Sequence, residues 1–139
     1  MPQTVSPVPE ADLRKIICEP VSGDLLVKTA ERLGEQLSRT LRAAQIRAIF
    51  DEAHSIGSLF LLGKSEEAVH RAYLLDPKMA YRAKRAGAGA ETLAAVLKNA
   101  LKVVLEAKED PEEVKSRYSR FLEFFEAIVA YHKAHGGKD

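Results

Sequence analysis

Apolar residues recur along most of this chain at the three- and four-residue spacing of amphipathic α-helices. The clearest stripe lies between Leu93 and Val104, where every turn brings an apolar side chain to one face. Another stripe runs from Ile46 to Ile56 and is followed by Gly57, a residue type that commonly ends helices. No segment shows the alternation of a half-buried strand. The pattern predicts an all-α fold, a compact bundle of about five to six helices with short connections.

Capping residues and prolines mark where these helices begin. Thr40 is a candidate N-cap for the second long helix, and Asp110-Pro111 has the form of a cap followed by a first-turn proline. Asp76-Pro77 has the same form. We therefore expect a helix to end there and a short basic helix to follow over residues 77–85.

The N-terminal segment has a different composition. Four of the six prolines lie within residues 1–22, and proline removes backbone donors and restricts φ. The segment from Asp12 to Cys18 has room for one short helix. We predict an extended, Pro-rich N-terminal arm over residues 1–22 and a single helical domain over residues 23–139.

Length and composition narrow the class of protein. The chain has 139 residues, of which 46% are hydrophobic and 29% charged, enough for one domain with a real core. Its single cysteine, Cys18, excludes an internal disulfide and a cysteine-based zinc site. No apolar run is long enough to span a membrane, and no signal-peptide core is present at the N-terminus. We expect a cytoplasmic protein with no membrane partner.

Charge is unevenly distributed although the net charge is only +1. Residues 78–102 contain six Lys or Arg and one acidic residue, whereas residues 106–126 contain seven acidic residues and four basic ones. This asymmetry suggests one surface that faces an anion. The alternative is an ordinary solvated helix surface with uneven charge.

Several of these bases form a stripe on one face of a helix. Lys78, Arg82 and Arg85 are spaced i, i+4 and i+7, so they share one face of a helix. Such side chains neutralise phosphates without reading bases, which makes binding independent of sequence and sensitive to salt. Tyr73 and Tyr81 have rings suited to base stacking, but we expect them to pack in the core.

Catalytic chemistry has little support. His132 and His135 are three positions apart, but no third ligand, HExxH motif or Asp cluster accompanies them. Near a helix C-terminus they instead suit the dipole and the free carbonyls. The chain has no P-loop and no GxGxxG motif. We expect a protein that is not an enzyme, with no cofactor and no metal site.

Three segments carry a family resemblance. They are residues 40–47, which end in Gln-Ile-Arg, residues 75–85, in which Leu-Asp-Pro precedes a tyrosine and several bases, and residues 124–133, which read FFEAIVAYHK. In this order the chain resembles the small subunit of the type III-A CRISPR effector, the Csm complex. The resemblance covers residues from about 24 to the end. Ala43-Ala44 before Gln45 is a departure, because a polar residue is common there.

The resemblance implies a non-catalytic protein of antiviral defence whose copies pack as a filament. Its implied partners are the other subunits of the Csm complex, copies of itself, target RNA and the crRNA–target duplex. Basic residues would hold the target strand by phosphate contacts, and Gln45 would fix the backbone or contact a sugar. Matching positions predict a nucleic-acid-binding set of Arg42, Gln45, Arg47, Lys78, Arg82, Lys84, Arg85 and Lys133.

Two other interpretations remain open. The segment from Ser38 to Phe50 has the length of a recognition helix, so the alternative is a helix-turn-helix-like DNA-binding regulator. The last is a helical scaffold that binds no nucleic acid, in which the charge asymmetry reflects solvation only.

Overall fold

A computed structural model describes residues 7–137 of the chain, and within them the backbone is helical with no strand. The predicted all-α bundle is confirmed, with 82% of the described residues in six helices. They are α1 (Glu10–Cys18), α2 (Gly23–Leu37), α3 (Ala43–Leu61), α4 (Ser65–Ala86), α5 (Ala88–Leu105) and α6 (Pro111–Ala134).

Helix α6 forms the centre of the bundle and packs against α1, α2, α3 and α5. Its buried face is aromatic: Tyr118, Phe121, Phe124 and Phe125 are each at most 1% exposed. The hydroxyl of Tyr118 donates to the carbonyl of Ala53 at 2.7 Å, so this buried polar group is satisfied. Burial raises the pKa of Tyr118, and the phenol stays protonated.

The last four helices run in alternating directions, which places their termini at two ends of the bundle. At one end α3 finishes, α4 begins, α5 finishes and α6 begins. At the other end the α2–α3 connection meets α6, because His132 contacts the carbonyl of Leu41. The start of α5 lies there as well, since a Cβ added at Gly89 would come within 2.5 Å of the Thr40 hydroxyl.

The predicted N-terminal arm is not confirmed. Of residues 1–22, the structure describes 7–22, and these include α1, which packs on α5 and α6. Leu13, Ile16 and Ile17 lie at i, i+3 and i+4 and are at most 1% exposed, so the segment buries an apolar face like any bundle helix. Arg14 forms two hydrogen bonds to the Glu106 carboxylate and holds its pKa below the ordinary value.

The predicted break at Asp76-Pro77 is wrong, because α4 continues through Pro77 without interruption. Leu75 and Met79 are both 1% exposed, so the same apolar face continues on either side of the proline. The proline itself is exposed, which leaves the unpaired carbonyl one turn earlier on the side of water. Packing against α3 and α5 therefore outweighs the local cost of proline.

Gly57 does not end its helix as predicted, since α3 continues to Leu61. A Cβ at this position would come within 2.4 Å of the Leu122 side chain on α6. Glycine here leaves room for the Leu122 side chain between α3 and α6. A single sequence does not distinguish such a glycine from one that ends a helix.

Gly34 controls the approach of α2 to α6. A Cβ at Gly34 would lie 2.6 Å from Tyr131 Cβ and 2.8 Å from the His132 backbone nitrogen. We expect Gly34→Ala to lower the free energy of unfolding by about 1–3 kcal/mol, measured by urea denaturation, because the helices must separate. The matched control is Gly23→Ala in the same helix, where nothing lies within 4 Å. A Gly34→Ala variant as stable as the control would contradict this account of the contact.

Candidate nucleic-acid interface

Helices α3 and α4 enclose an open groove of about 770 Å³, which the start of α5 closes at one end. The lining residues are Gln45, Ala48, Ile49, Glu52, Pro77, Lys78, Tyr81, Arg82, Arg85, Ala86 and Ala90. The three bases that share one face of α4 are all among them. The other lining residues are the apolar Ala48, Ile49, Pro77, Ala86 and Ala90 together with Gln45, Glu52 and Tyr81, so the groove combines cations with apolar surface and one carboxylate.

The three cations of the groove differ in how far the protein itself neutralises them. Lys78 Nζ lies 3.1 Å from a carboxylate oxygen of Glu52 on α3. Arg85 donates to the neutral Tyr81 hydroxyl at 3.1 Å and forms no ion pair within the described residues. Arg82 has no ion pair with any residue between positions 7 and 137. The positive potential of the groove therefore comes chiefly from Arg82 and Arg85.

The chain matches the model of a known protein family. The family described as Csm2 Type III-A matches residues 21–138. This chain belongs to the Csm2 type III-A family. As a Csm2 family member it is a small subunit of the type III-A CRISPR Csm complex, which confirms the resemblance found in the sequence. Comparisons with curated proteins and with solved structures give no match.

The predicted site of this Csm2 family member is divided into three parts. Gln45, Lys78, Arg82 and Arg85 line the groove. Arg42, Lys84 and Lys133 are exposed and lie where α3 begins and where α4 and α6 finish. Arg47 is exposed on α3, but it follows Gln45 by two positions, so its side chain points about 200° around the helix, away from the groove.

Gln45 has a defined structural role. Its side-chain oxygen accepts a hydrogen bond from the backbone nitrogen of Arg42 at 3.1 Å. Arg42, not the predicted Thr40, is the N-cap of α3. The hydrogen bond with Arg42 is a contact with the protein backbone, and contact of Gln45 with a sugar stays a prediction. Gln45 thereby fixes the start of the helix that forms one wall of the groove.

The two histidines near the end of α6 do not form a pair. His132 is 1% exposed, and its Nε2 lies 2.5 Å from the Leu41 carbonyl, to which it donates. His135 lies 3.7 Å from a carboxylate oxygen of Glu31. Gly136 at φ 85° turns the chain so that Gly137 donates to the His132 carbonyl. Within residues 7–137, no group of three or more His, Cys, Asp or Glu is placed to hold a metal ion.

Tyr81 and Tyr73 do not lie in the core, contrary to the prediction from the sequence. They are 64% and 47% exposed. Tyr73 accepts a hydrogen bond from Lys108 at 3.0 Å, which raises the pKa of that lysine. The exposure of Tyr81 could have been predicted from its position, three residues after Lys78 and four before Arg85, which places it on the same helix face as these bases. Glu52 was missed altogether, because its pairing with Lys78 depends on how two helices pack.

No helix within the described part of the chain has the length and apolar character needed to cross a membrane.

We expect Gln45→Ala to lower the free energy of unfolding by about 0.5–1 kcal/mol, because the Arg42 amide loses its acceptor. Urea denaturation followed by circular dichroism measures the change. Gln45→Glu is the control: it keeps an acceptor and adds a negative charge near a helix N-terminus, so its stability should equal or exceed that of the original chain. Equal loss of stability in both variants would contradict the capping role.

Proposed function

We propose that this small subunit is non-catalytic and holds target RNA through sequence-independent phosphate contacts, in cytoplasmic defence against invading nucleic acid. The observation that carries the proposal is the groove between α3 and α4, where Arg82 and Arg85 share one face of a helix and have no acidic partner among residues 7–137. Guanidinium groups suit this task because their planar fork matches phosphate oxygens.

Independence of sequence is what the task requires. In RNA-guided recognition the guide reads the target by base pairing, so a protein surface that reads bases would restrict the targets without adding information. Phosphate contacts fix the position of a strand and carry no sequence preference. The open groove, with its cations on one wall, supports contacts of this kind both with the target strand and with the crRNA–target duplex.

The predicted residues should contribute unequally. Arg82 and Arg85 come first, because neither forms an ion pair in the part of the chain that the structure describes. Lys78 contributes less, because binding RNA would have to compete with Glu52 for its ammonium group. Arg42, Lys84 and Lys133 lie outside the groove, at the end of the bundle where α3 begins and α4 and α6 finish. Arg47 would contact RNA on another face of the subunit.

We expect the double variant Arg82→Ala/Arg85→Ala, assembled into the Csm complex, to bind all target RNA sequences more weakly and to the same extent. The plot of log affinity against log salt should become shallower by about 0.7 for each phosphate of a single strand that the variant no longer neutralises. Fluorescence anisotropy at several salt concentrations measures both quantities. The matched control is Lys98→Ala/Lys102→Ala, which removes two exposed charges from α5 outside the groove.

Unchanged affinity of the double variant in the assembled complex would overturn this residue assignment. Preferential binding of one duplex DNA sequence by the chain would instead favour the DNA-binding regulator. Absence of salt-dependent RNA binding in every assembly state would favour the scaffold.

The filament of copies has support of its own in the two ends of the bundle, which carry opposite charge. Acidic residues outnumber the lysines Lys64, Lys108 and Lys115 where α4 and α6 begin, and we call this the acidic end. The acidic residues are Glu66, Glu67, Glu109, Asp110 and Glu112. Arg39, which is paired with Glu35, and Arg42, Lys84 and Lys133 lie where α4 and α6 finish, which we call the basic end. A basic end docked on the acidic end of the next copy is a heterologous contact that can repeat without closing.

Apolar surface at the acidic end supports the same contact. Leu61 and Leu62 are 77% and 70% exposed where α3 finishes, next to the first turn of α4. Large exposed side chains of this kind in a patch with a charged rim are typical of protein–protein contacts. A head-to-tail stack would cover them and leave the lateral groove open.

We expect Leu61→Asp/Leu62→Asp to reduce self-association of the purified chain by at least about tenfold, because each copy would bury two carboxylates at the contact. Sedimentation equilibrium gives the association constant. Leu74→Asp is the control, since Leu74 is 44% exposed on the outer side of α4, away from both ends. Association that is unaffected by the double variant, or reduced equally in the control, would rule out this end as the contact.

A further inference from the structure

The groove has a composition that phosphate binding by itself does not explain. Its cations stand on α4, and beside Gln45 and Glu52 the residues Ala48, Ile49, Pro77, Ala86 and Ala90 give it an apolar surface as well. A phosphate has no favourable contact with such a surface. A nucleotide does, because it carries a flat apolar base together with its charge. The volume of about 770 Å³ falls in the usual range for sites that enclose small organic groups.

Tyr81 supplies the feature that a base would use. Tyr81 is 64% exposed although it lies inside a 22-residue helix, so the described part of the protein leaves this residue largely open to solvent. Arg85 holds the ring from one side: it donates to the hydroxyl at 3.1 Å, and its guanidinium carbon lies 5.8 Å from the ring centroid. The ring is therefore oriented before any ligand arrives, which lowers the entropy cost of stacking.

We infer that this groove takes one unpaired nucleotide of an RNA strand, with the base stacked on Tyr81 and the adjoining phosphates on Arg82 and Arg85. The inference rests on the proposed function and adds a second, non-ionic component of binding at the same site. Every base has a π-face, so stacking preserves the independence of sequence. It also gives the groove a preference for single strands, because the bases of a duplex are already stacked on their neighbours.

The two components of binding respond differently to salt. Phosphate contacts weaken as salt rises because bound counterions are released, whereas stacking of a neutral base releases none. A variant that lacks the ring should therefore lose affinity by a constant factor at every salt concentration. A variant that lacks a guanidinium should lose affinity together with part of the salt dependence.

The experiment measures the affinity of the full chain for a single-stranded RNA of mixed sequence, for the matching RNA duplex, and for an oligonucleotide of abasic sites of the same length. Tyr81→Leu should bind the single strand about 5- to 150-fold more weakly, with an unchanged salt slope. Tyr81→Phe keeps the ring and should stay within about threefold of the original chain. Arg82→Ala should lower both affinity and slope.

Two further readouts separate stacking from other roles of Tyr81. The Tyr81→Leu and original chains should bind the abasic oligonucleotide equally, and Tyr81→Leu should lose the preference for single strands over duplex. Equal affinity of the two chains for the intact single strand would overturn the inference, as would an equal loss on the abasic strand. Intact RNA binding combined with impaired assembly of the Tyr81→Leu variant into the complex would show that the ring packs against another subunit instead.

These outcomes are distinct from failure of the proposed function. Arg82→Ala can weaken RNA binding while Tyr81→Leu changes nothing, in which case phosphate contacts stand and stacking falls. If the original chain shows no salt-dependent binding of single-stranded RNA, the stacking inference is wrong. The phosphate contacts are then tested by the affinity of the Arg82→Ala/Arg85→Ala variant in the assembled complex.

Discussion

Burial of the aromatic face of α6 is the constraint on which the rest of the structure depends. Tyr118, Phe121, Phe124 and Phe125 require apolar neighbours on several sides, and α1, α2, α3 and α5 provide them. Helix α4 is left on the outside, where it packs on α3 and α5. An outer helix keeps a wide solvent face. That face carries Tyr81 and the three cations of the groove.

Charge in this protein acts through its placement, since the net charge is only +1. Helices α4 and α6 run in the same direction, and each has acidic residues in its first turn and basic residues in its last. The helix dipole favours this order within each helix. Packing the two helices in parallel adds their charges, so one end of the bundle is acidic and the other basic. Within the groove, the Lys78–Glu52 pair leaves Arg82 and Arg85 to set the potential.

The proposed roles of the two surfaces are compatible in space. Contact between the ends of successive copies leaves the side of the bundle open, and the groove between α3 and α4 lies on that side. In the proposed role, a few phosphate contacts per copy would give weak binding in isolation. An array of copies along one strand would raise the effective concentration of each further contact, so the same groove would become useful when it is repeated.

The helical spacing of apolar residues, the Asp110-Pro111 start and the basic stripe of α4 were readable in the sequence, because each depends on residues a few positions apart. Tertiary structure decided the features that depend on distant neighbours. Packing against neighbouring helices keeps α4 helical through Pro77 and holds α1 in the bundle, although proline locally disfavours helix. It also exposed Tyr81 and paired Glu52 with Lys78, since only the packing of α3 on α4 determines which side chains face each other across the groove.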